Sequence, residues 1–144
     1  MVKKHILVVD DDVTARELLS GILRHSGFDV ESCSSAEQAL EKCRTGNYPV
    51  VLSDIQMLEM GGIALVTELR KMGCNSVVIL ITGHGSLAGA VEALHEGAFD
   101  YLSKPVKPLE LVAVVERAFR QFKEPLEHDS KEVSDTADAS PQAK

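Results

Sequence analysis

The chain has 144 residues, 44% of them hydrophobic and 26% charged, enough for one domain with a buried core and too few for a two-domain enzyme. Its longest apolar runs, Ile6–Val9 and Val77–Ile81, fall far short of the about 20 residues that cross a bilayer, so no membrane association is expected. The net charge of −7 divides between an acidic end, six acids against three lysines over residues 123–144, and a body whose excess equals Asp10, Asp11, Asp12 and Asp54 alone, a balance that argues against direct nucleic-acid binding and for a site that takes a cation.

In chain order, His5–Asp10 is a continuous apolar run ending on a carboxylate, as a strand buried on both faces does. Val13–His25 places Ala15, Leu18, Leu19, Ile22 and Leu23 on one helical face. Ser26 and Gly27 stop that helix, with Gly27 able to take the left-handed conformation. Phe28–Cys33 reads as a second, weaker strand. Ser34 and Glu37 have capping-box spacing ahead of a helix carrying Ala36, Ala39, Leu40 and Cys43, which Gly46 ends. Pro49–Ser53 is a short β-rich run leading to Asp54, and Ile63, Val66, Leu69 and Met72 form a helical stripe closed by Gly73. Val77–Ile81 is the strongest strand. Leu87, Ala90, Val91 and Leu94 make a short fourth helix closed by Gly97, and Phe99–Leu102 makes a fifth strand. Pro108 opens a fifth helix with Leu111, Val112, Val115, Phe119 and Phe122 on its stripe.

Five strand–helix units in alternation predict an α/β domain over residues 1–122, with a doubly wound parallel sheet covered by helices on both faces. Residues 123–144 hold almost no large apolar side chain and are expected to be an acidic disordered tail or linker. The N terminus lacks the charged, apolar and small-residue sequence of a secretory signal. The three cysteines, Cys33, Cys43 and Cys74, form no CxxC and leave one over. Reduced filler thiols in a cytoplasmic protein are expected.

Ligands of open parallel sheets bind outside the carboxyl ends of the strands. The first strand delivers Asp10, Asp11 and Asp12 there, the third Asp54, the fourth Thr82, and the fifth Lys104 followed by Pro105. Clustered carboxylates repel one another, and a hard divalent cation with oxygen ligands removes that cost. A lysine and a hydroxyl opposite them suit phosphoryl oxygens, and one carboxylate can then be the nucleophile of an acyl phosphate. The plainer alternative is that Asp10–Asp12 only cap the first helix, although three successive acids exceed what a cap requires.

The segments Val8-Val9-Asp10-Asp11, Leu52-Ser53-Asp54-Ile55-Gln56-Met57, Ile81-Thr82-Gly83 and Lys104-Pro105 resemble, in order and spacing, the bacterial two-component response-regulator receiver (CheY-like) domain. The stretch Thr82–Pro105 resembles receivers of the nitrogen-regulator, enhancer-binding class. The resemblance implies a flavodoxin-like sheet of order 2-1-3-4-5 and a signalling switch more than a turnover enzyme. It implies phosphotransfer onto Asp54 from a phosphohistidine of a sensor histidine kinase or phosphotransfer protein. It further implies Mg²⁺ (or Mn²⁺) held by Asp10, Asp11, Asp54 and the main-chain carbonyl of Gln56, with Thr82 and Lys104 on the phosphoryl oxygens. Tyr101 matches the switch aromatic, and Pro105 would follow a cis peptide bond. The face of the fourth helix, fifth strand and fifth helix would then engage an effector domain or a second copy. Leu58 and Gly61-Gly62 depart from the usual pattern, so a looser loop is expected there, and Asp12 is expected to support the site from behind.

His84 is either a neighbour of the site mouth or a solvated loop residue, and no histidine has metal-ligand spacing. Asp10-Asp11-Asp12-Val13-Thr14 also fits the nucleophile loop of haloacid-dehalogenase-type phosphatases. Those enzymes need an insertion after the first strand and a late acidic pair, and this chain shows neither. A non-phosphorylated adaptor using only its helical surface is the remaining alternative.

Overall fold

A computed structural model describes residues 4–57, 60–83, 91–92 and 94–122. The elements are β1 (His5–Val9), α1 (Val13–His25), β2 (Asp29–Cys33), α2 (Ala36–Thr45), β3 (Val50–Asp54), α3 (Gly62–Lys71), β4 (Val77–Thr82), β5 (Asp100–Ser103) and a final helix, Pro108–Gln121. All five strands are parallel and lie in the order β2-β1-β3-β4-β5. The expected architecture is therefore the one observed. The expected short helix is helical at residues 91, 92, 94 and 95, while Leu87 and Ala90 lie outside the described residues, as do Leu58, Glu59, His84 and the acidic end from 123.

Continuous β-branched strands form because both sheet faces are covered. Ile6, Val8, Leu52, Ile79 and Ile81 pack beneath α1 and the final helix, while Leu7, Val9, Val51, Val78 and Leu80 pack beneath α2 and α3. Alternate side chains thus enter two different cores, and the one polar residue inside β1, β3 or β4 before the strand ends is Ser53, buried with its hydroxyl donating to the Asp54 carbonyl. Among the described residues no helix is long and apolar enough to cross a membrane.

Several local expectations shift. On α1 the buried residues are Leu19, Ser20 and Leu23, and Leu18 is 61% exposed. One position back along a 3.6-residue turn takes Leu18 out of the buried arc. The cap of α2 is Ser35, not Ser34. Ser35 Oγ accepts from the Gln38 N–H, and Gln38 Oε1 accepts from the Ser34 N–H, so the reciprocal cap sits one residue later than expected. Phe28 and Phe99 precede their strands and pack into or against the core from the connecting turns. On the final helix Val114 and Ala118 are buried with Leu111 and Val115, and Val112 and Phe119 are only partly so. Gly27, Gly73 and Gly97 all have positive φ, in the backbone region that closes helices with glycine.

The expected looseness after β3 does not extend to the start of α3. Gly62 is buried, and its N–H donates to the Ile55 carbonyl at 2.9 Å. A Cβ there would lie 2.5 Å from the Asp54 carbonyl and 3.1 Å from Ile55 Cα. Both are backbone atoms that cannot rotate away. Gly62→Ala should therefore destabilise the domain by about 1–3 kcal/mol through overpacking. Gly21→Ala, on the exposed side of α1 with nothing within 4 Å of the new methyl, should stabilise it by about 0.5–1 kcal/mol. Urea midpoints of the two variants moving in opposite directions from the parent would check both.

Candidate active site

The rim of the sheet gathers its polar groups because each apolar strand stops at the same edge. Asp10 directly follows β1 and is 0% exposed. Its N–H pairs with the Cys33 carbonyl at 3.2 Å, and its own carbonyl accepts from Arg16 Nη1 at 2.8 Å. The Asp10 carboxylate accepts from the Asp12 N–H through Oδ1 at 2.9 Å. Its Oδ2 is buried without a hydrogen-bond partner. Burial pushes the Asp10 carboxyl above the usual carboxylate range; the Asp12 N–H opposes this, and the charge of Asp54 adds to the rise.

Asp54 ends β3 and is 8% exposed. The Gln56 N–H donates to its Oδ1 at 3.0 Å, and Lys104 Nζ donates to its Oδ2 at 3.0 Å. Lys104 comes from the other side of the sheet edge, just past β5. Its N–H donates to the Thr82 carbonyl at 2.8 Å, and its peptide bond to Pro105 is cis, as the family pattern implies. Burial alone would make the ammonium easier to deprotonate. The bond to Asp54 and the charges of Asp54, Asp10 and Asp12 outweigh that and hold Lys104 above the usual lysine range. The ammonium lies 3.9 Å from Asp10 Oδ2, too far for a hydrogen bond.

Asp11 is exposed, and one carboxylate oxygen from each of Asp10, Asp11 and Asp54 lies within 4.8 Å of the others. Three carboxylates share one ammonium, and the orphaned buried Asp10 Oδ2 is an oxygen that a hard cation would satisfy. The donor set fits Mg²⁺ or a similar oxygen-seeking ion. Asp12 is the N-cap of α1, its side chain accepting from the Ala15 N–H at 3.4 Å. The capping explanation therefore holds for Asp12 and not for Asp10 or Asp11.

Thr82 ends β4, is 6% exposed, and stands opposite Ser103 in the parallel register. Tyr101 is half-buried two residues back on β5, opposite Leu80, and packs against the core under α2 and α3. Thr82 and Tyr101 thus share one face of the sheet. Gly83 is exposed beside the Lys104 side chain. The structure brings Asp10, Asp11, Asp54, Lys104 and Thr82 to one edge, with Gln56 in contact through its N–H. Sequence reasoning passed over Arg16. Its signal was a cation one helical turn past the acidic run, placed to hold the loop that carries all three acids.

The receiver-domain family model, "Response regulator receiver domain", matches residues 6–116. The transcriptional regulatory protein ZraR of Escherichia coli (strain K12) is 42% identical over 113 residues, which are 78% of this chain and 26% of ZraR. The DNA-binding transcriptional regulator NtrC of Escherichia coli (strain K12) is 38% identical over 119 residues, 83% of this chain and 25% of NtrC. The chain thus spans about a quarter of the length of these two relatives. The crystal structure of the receiver domain of NtrX from Brucella abortus superimposes with a TM-score of 0.76 at 38% identity, covering 80% of this chain and 98% of that one. The chain therefore belongs to the response regulator receiver domain family, the signalling switches of two-component systems.

Proposed function

We propose that Asp54 accepts a phosphoryl group from the phosphohistidine of a sensor histidine kinase or phosphotransfer protein. The observation that carries this reading is Asp54 itself: an almost buried carboxylate bonded to Lys104 and set among two further carboxylates that can share a cation. In the transfer an Asp54 carboxylate oxygen bonds to phosphorus as the bond from phosphorus to the donor's imidazole nitrogen breaks. The Gln56 N–H keeps the other Asp54 oxygen in place. Lys104 stays protonated and moves its hydrogen bond from Asp54 to a phosphoryl oxygen, and Thr82 donates its hydroxyl to another. Asp10, Asp11, Asp54 and the Gln56 carbonyl would hold Mg²⁺ (or Mn²⁺), which supplies charge neutralisation for the phosphoryl oxygens when bound.

The output follows from the shared face of Thr82 and Tyr101. Movement of Thr82 toward the phosphoryl group leaves room that the Tyr101 ring fills by turning inward. This biases the surface around the residue 91–95 segment, β5 and the final helix between two states. That surface is the place for an effector domain or a second copy. The working unit is residues 1–122, with 123–144 as tail or linker, acting in the cytoplasm.

Intact-mass measurement after incubation with a small phosphodonor and Mg²⁺ tests the chemistry. The parent should gain one phosphoryl group, and Asp54→Asn, which keeps the shape without the nucleophilic oxygen, should gain none. Persistent labelling at Asp10 or Asp12 in that variant would instead favour the phosphatase-like alternative.

Added Mg²⁺ should raise the thermal midpoint of the parent at neutral pH, by about 1.4 kcal/mol of stability for each tenfold excess over its dissociation constant. Asp11→Ala should lose most of that gain in a scan at matched ionic strength. An unchanged response would remove Asp11 from the ligand set.

Because the folded-state carboxyl of Asp10 holds its proton more tightly than the unfolded chain does, its ionisation costs stability as pH rises from the ordinary carboxylate range through its raised folded-state range. In metal-free buffer, Asp10→Asn should therefore be more stable than the parent at pH 7 by about 1–3 kcal/mol. The advantage should shrink as the pH falls through the raised folded-state range of Asp10 and be gone below the ordinary carboxylate range. Denaturant titrations at several pH values read the difference directly.

A further inference from the structure

At the opposite edge of the sheet the fold pairs two thiols that are far apart in sequence. Cys43 lies in the last turn of α2 and Cys74 in the turn after α3, and both are half-buried. Their side chains are within hydrogen-bonding reach of each other. Both line a surface cavity of about 390 Å³, together with Tyr48, Met72 and Ser76. Cys74 Sγ is also 3.2 Å from Ser76 Oγ, whose hydroxyl donates to the Tyr48 carbonyl. Arg70 donates from Nη1 to the Cys74 carbonyl at 2.9 Å and from Nη2 to the Ser76 carbonyl at 3.0 Å, which fixes a guanidinium beside the pair. The third thiol, Cys33, is buried elsewhere in the core under α2.

We propose that Cys43 and Cys74 form a reversible dithiol–disulfide pair that responds to hydroperoxides, with Cys74 the attacking thiol and Cys43 the resolving one. The roles follow from the surroundings. The Cys43 thiol donates toward Cys74, and the Ser76 backbone N–H and the Arg70 charge add to this, drawing the Cys74 thiol below its usual range despite its burial. The same bond and burial push Cys43 upward, so the shared proton stays on Cys43. Cys33 is raised, its burial outweighing the bond to Ser35 and the charges of Lys42 and Arg16. A thiolate next to a protonated partner thiol on an open cavity is the arrangement of a redox-sensing cysteine and its resolving neighbour.

In the first step the Cys74 thiolate attacks one peroxide oxygen. A sulfur–oxygen bond forms, the oxygen–oxygen bond breaks, and hydroxide leaves. Cys43, its proton passed to that hydroxide, then attacks the Cys74 sulfur. The sulfur–sulfur bond forms and the sulfur–oxygen bond breaks. Overall two thiols lose two electrons and two protons, and one hydrogen peroxide becomes two waters. A dithiol reductant reverses the change, as expected of a transient disulfide in a reducing compartment.

The test uses the whole chain and hydrogen peroxide. Oxidised protein should lose two hydrogens by intact mass, and proteolytic mapping should yield one peptide pair joined through Cys43 and Cys74, with Cys33 free. Dithiothreitol should restore the parent mass. In Cys43→Ser, dimedone should trap a sulfenic acid at Cys74. At slightly acidic pH iodoacetamide should label Cys74 in the parent about tenfold faster than Cys33. Mapping and labelling of the parent need no variant to fold. Equal labelling of all three thiols, a bond involving Cys33, or only chain-to-chain disulfides would overturn the assignment.

Discussion

One ammonium set against three carboxylates governs the sheet edge. Lys104 reaches Asp54 at 3.0 Å and approaches Asp10 without bonding it, so the charge balance there is left short by design of the backbone and not by accident of the surface. The parallel sheet makes this unavoidable. Every strand arrives from the same direction, and in β1, β3 and β4 apolar side chains fill both faces nearly to the strand ends, so Asp10, Asp54 and Thr82 fall on the same rim. The repulsion that results is a standing attraction for anything that brings positive charge or draws the lysine toward new negative oxygens.

That rim was the most legible part of the molecule. Asp10, Asp54, Thr82 and Lys104 could be named because each ends or follows a strand-forming run, and the parallel direction of the strands follows from long crossovers, whereas their order rested on the family resemblance. Helix faces were read less well. Leu18 looks as apolar as Leu19, and only the packing of α1 on the sheet decides which of the two turns inward. The α2 cap moved by one residue because Ser34 and Ser35 are both competent, and Gln38 serves Ser35 where Glu37 would have served Ser34. The surroundings of the cysteines were hidden for a different reason. Activation was sought among sequence neighbours, whereas the groups that surround Cys74 come from α2, α3 and the turn before β4.

The alternatives raised by the acidic run separate on simple geometry. α1 begins at Val13, immediately after the Asp12 cap, so the chain spends no residues on a cover over the first strand. The described ends of β4 and β5 bring a hydroxyl and an amine, not a second acidic pair. Both features agree with the family to which the chain belongs and not with the phosphatase-like loop.

The close seating of Gly62 gives α3 an unusual mechanical status. With no side chain between them, the first turn of this helix rests on the carbonyl of Asp54, and at its far end Arg70 grips the carbonyls of Cys74, Ser76 and Gly97. Interiors packed this tightly transmit a displacement instead of absorbing it. The helix is a strut between two chemically different ends, one carboxylate and one thiol. A covalent change at either end would press on the same ten-residue rod.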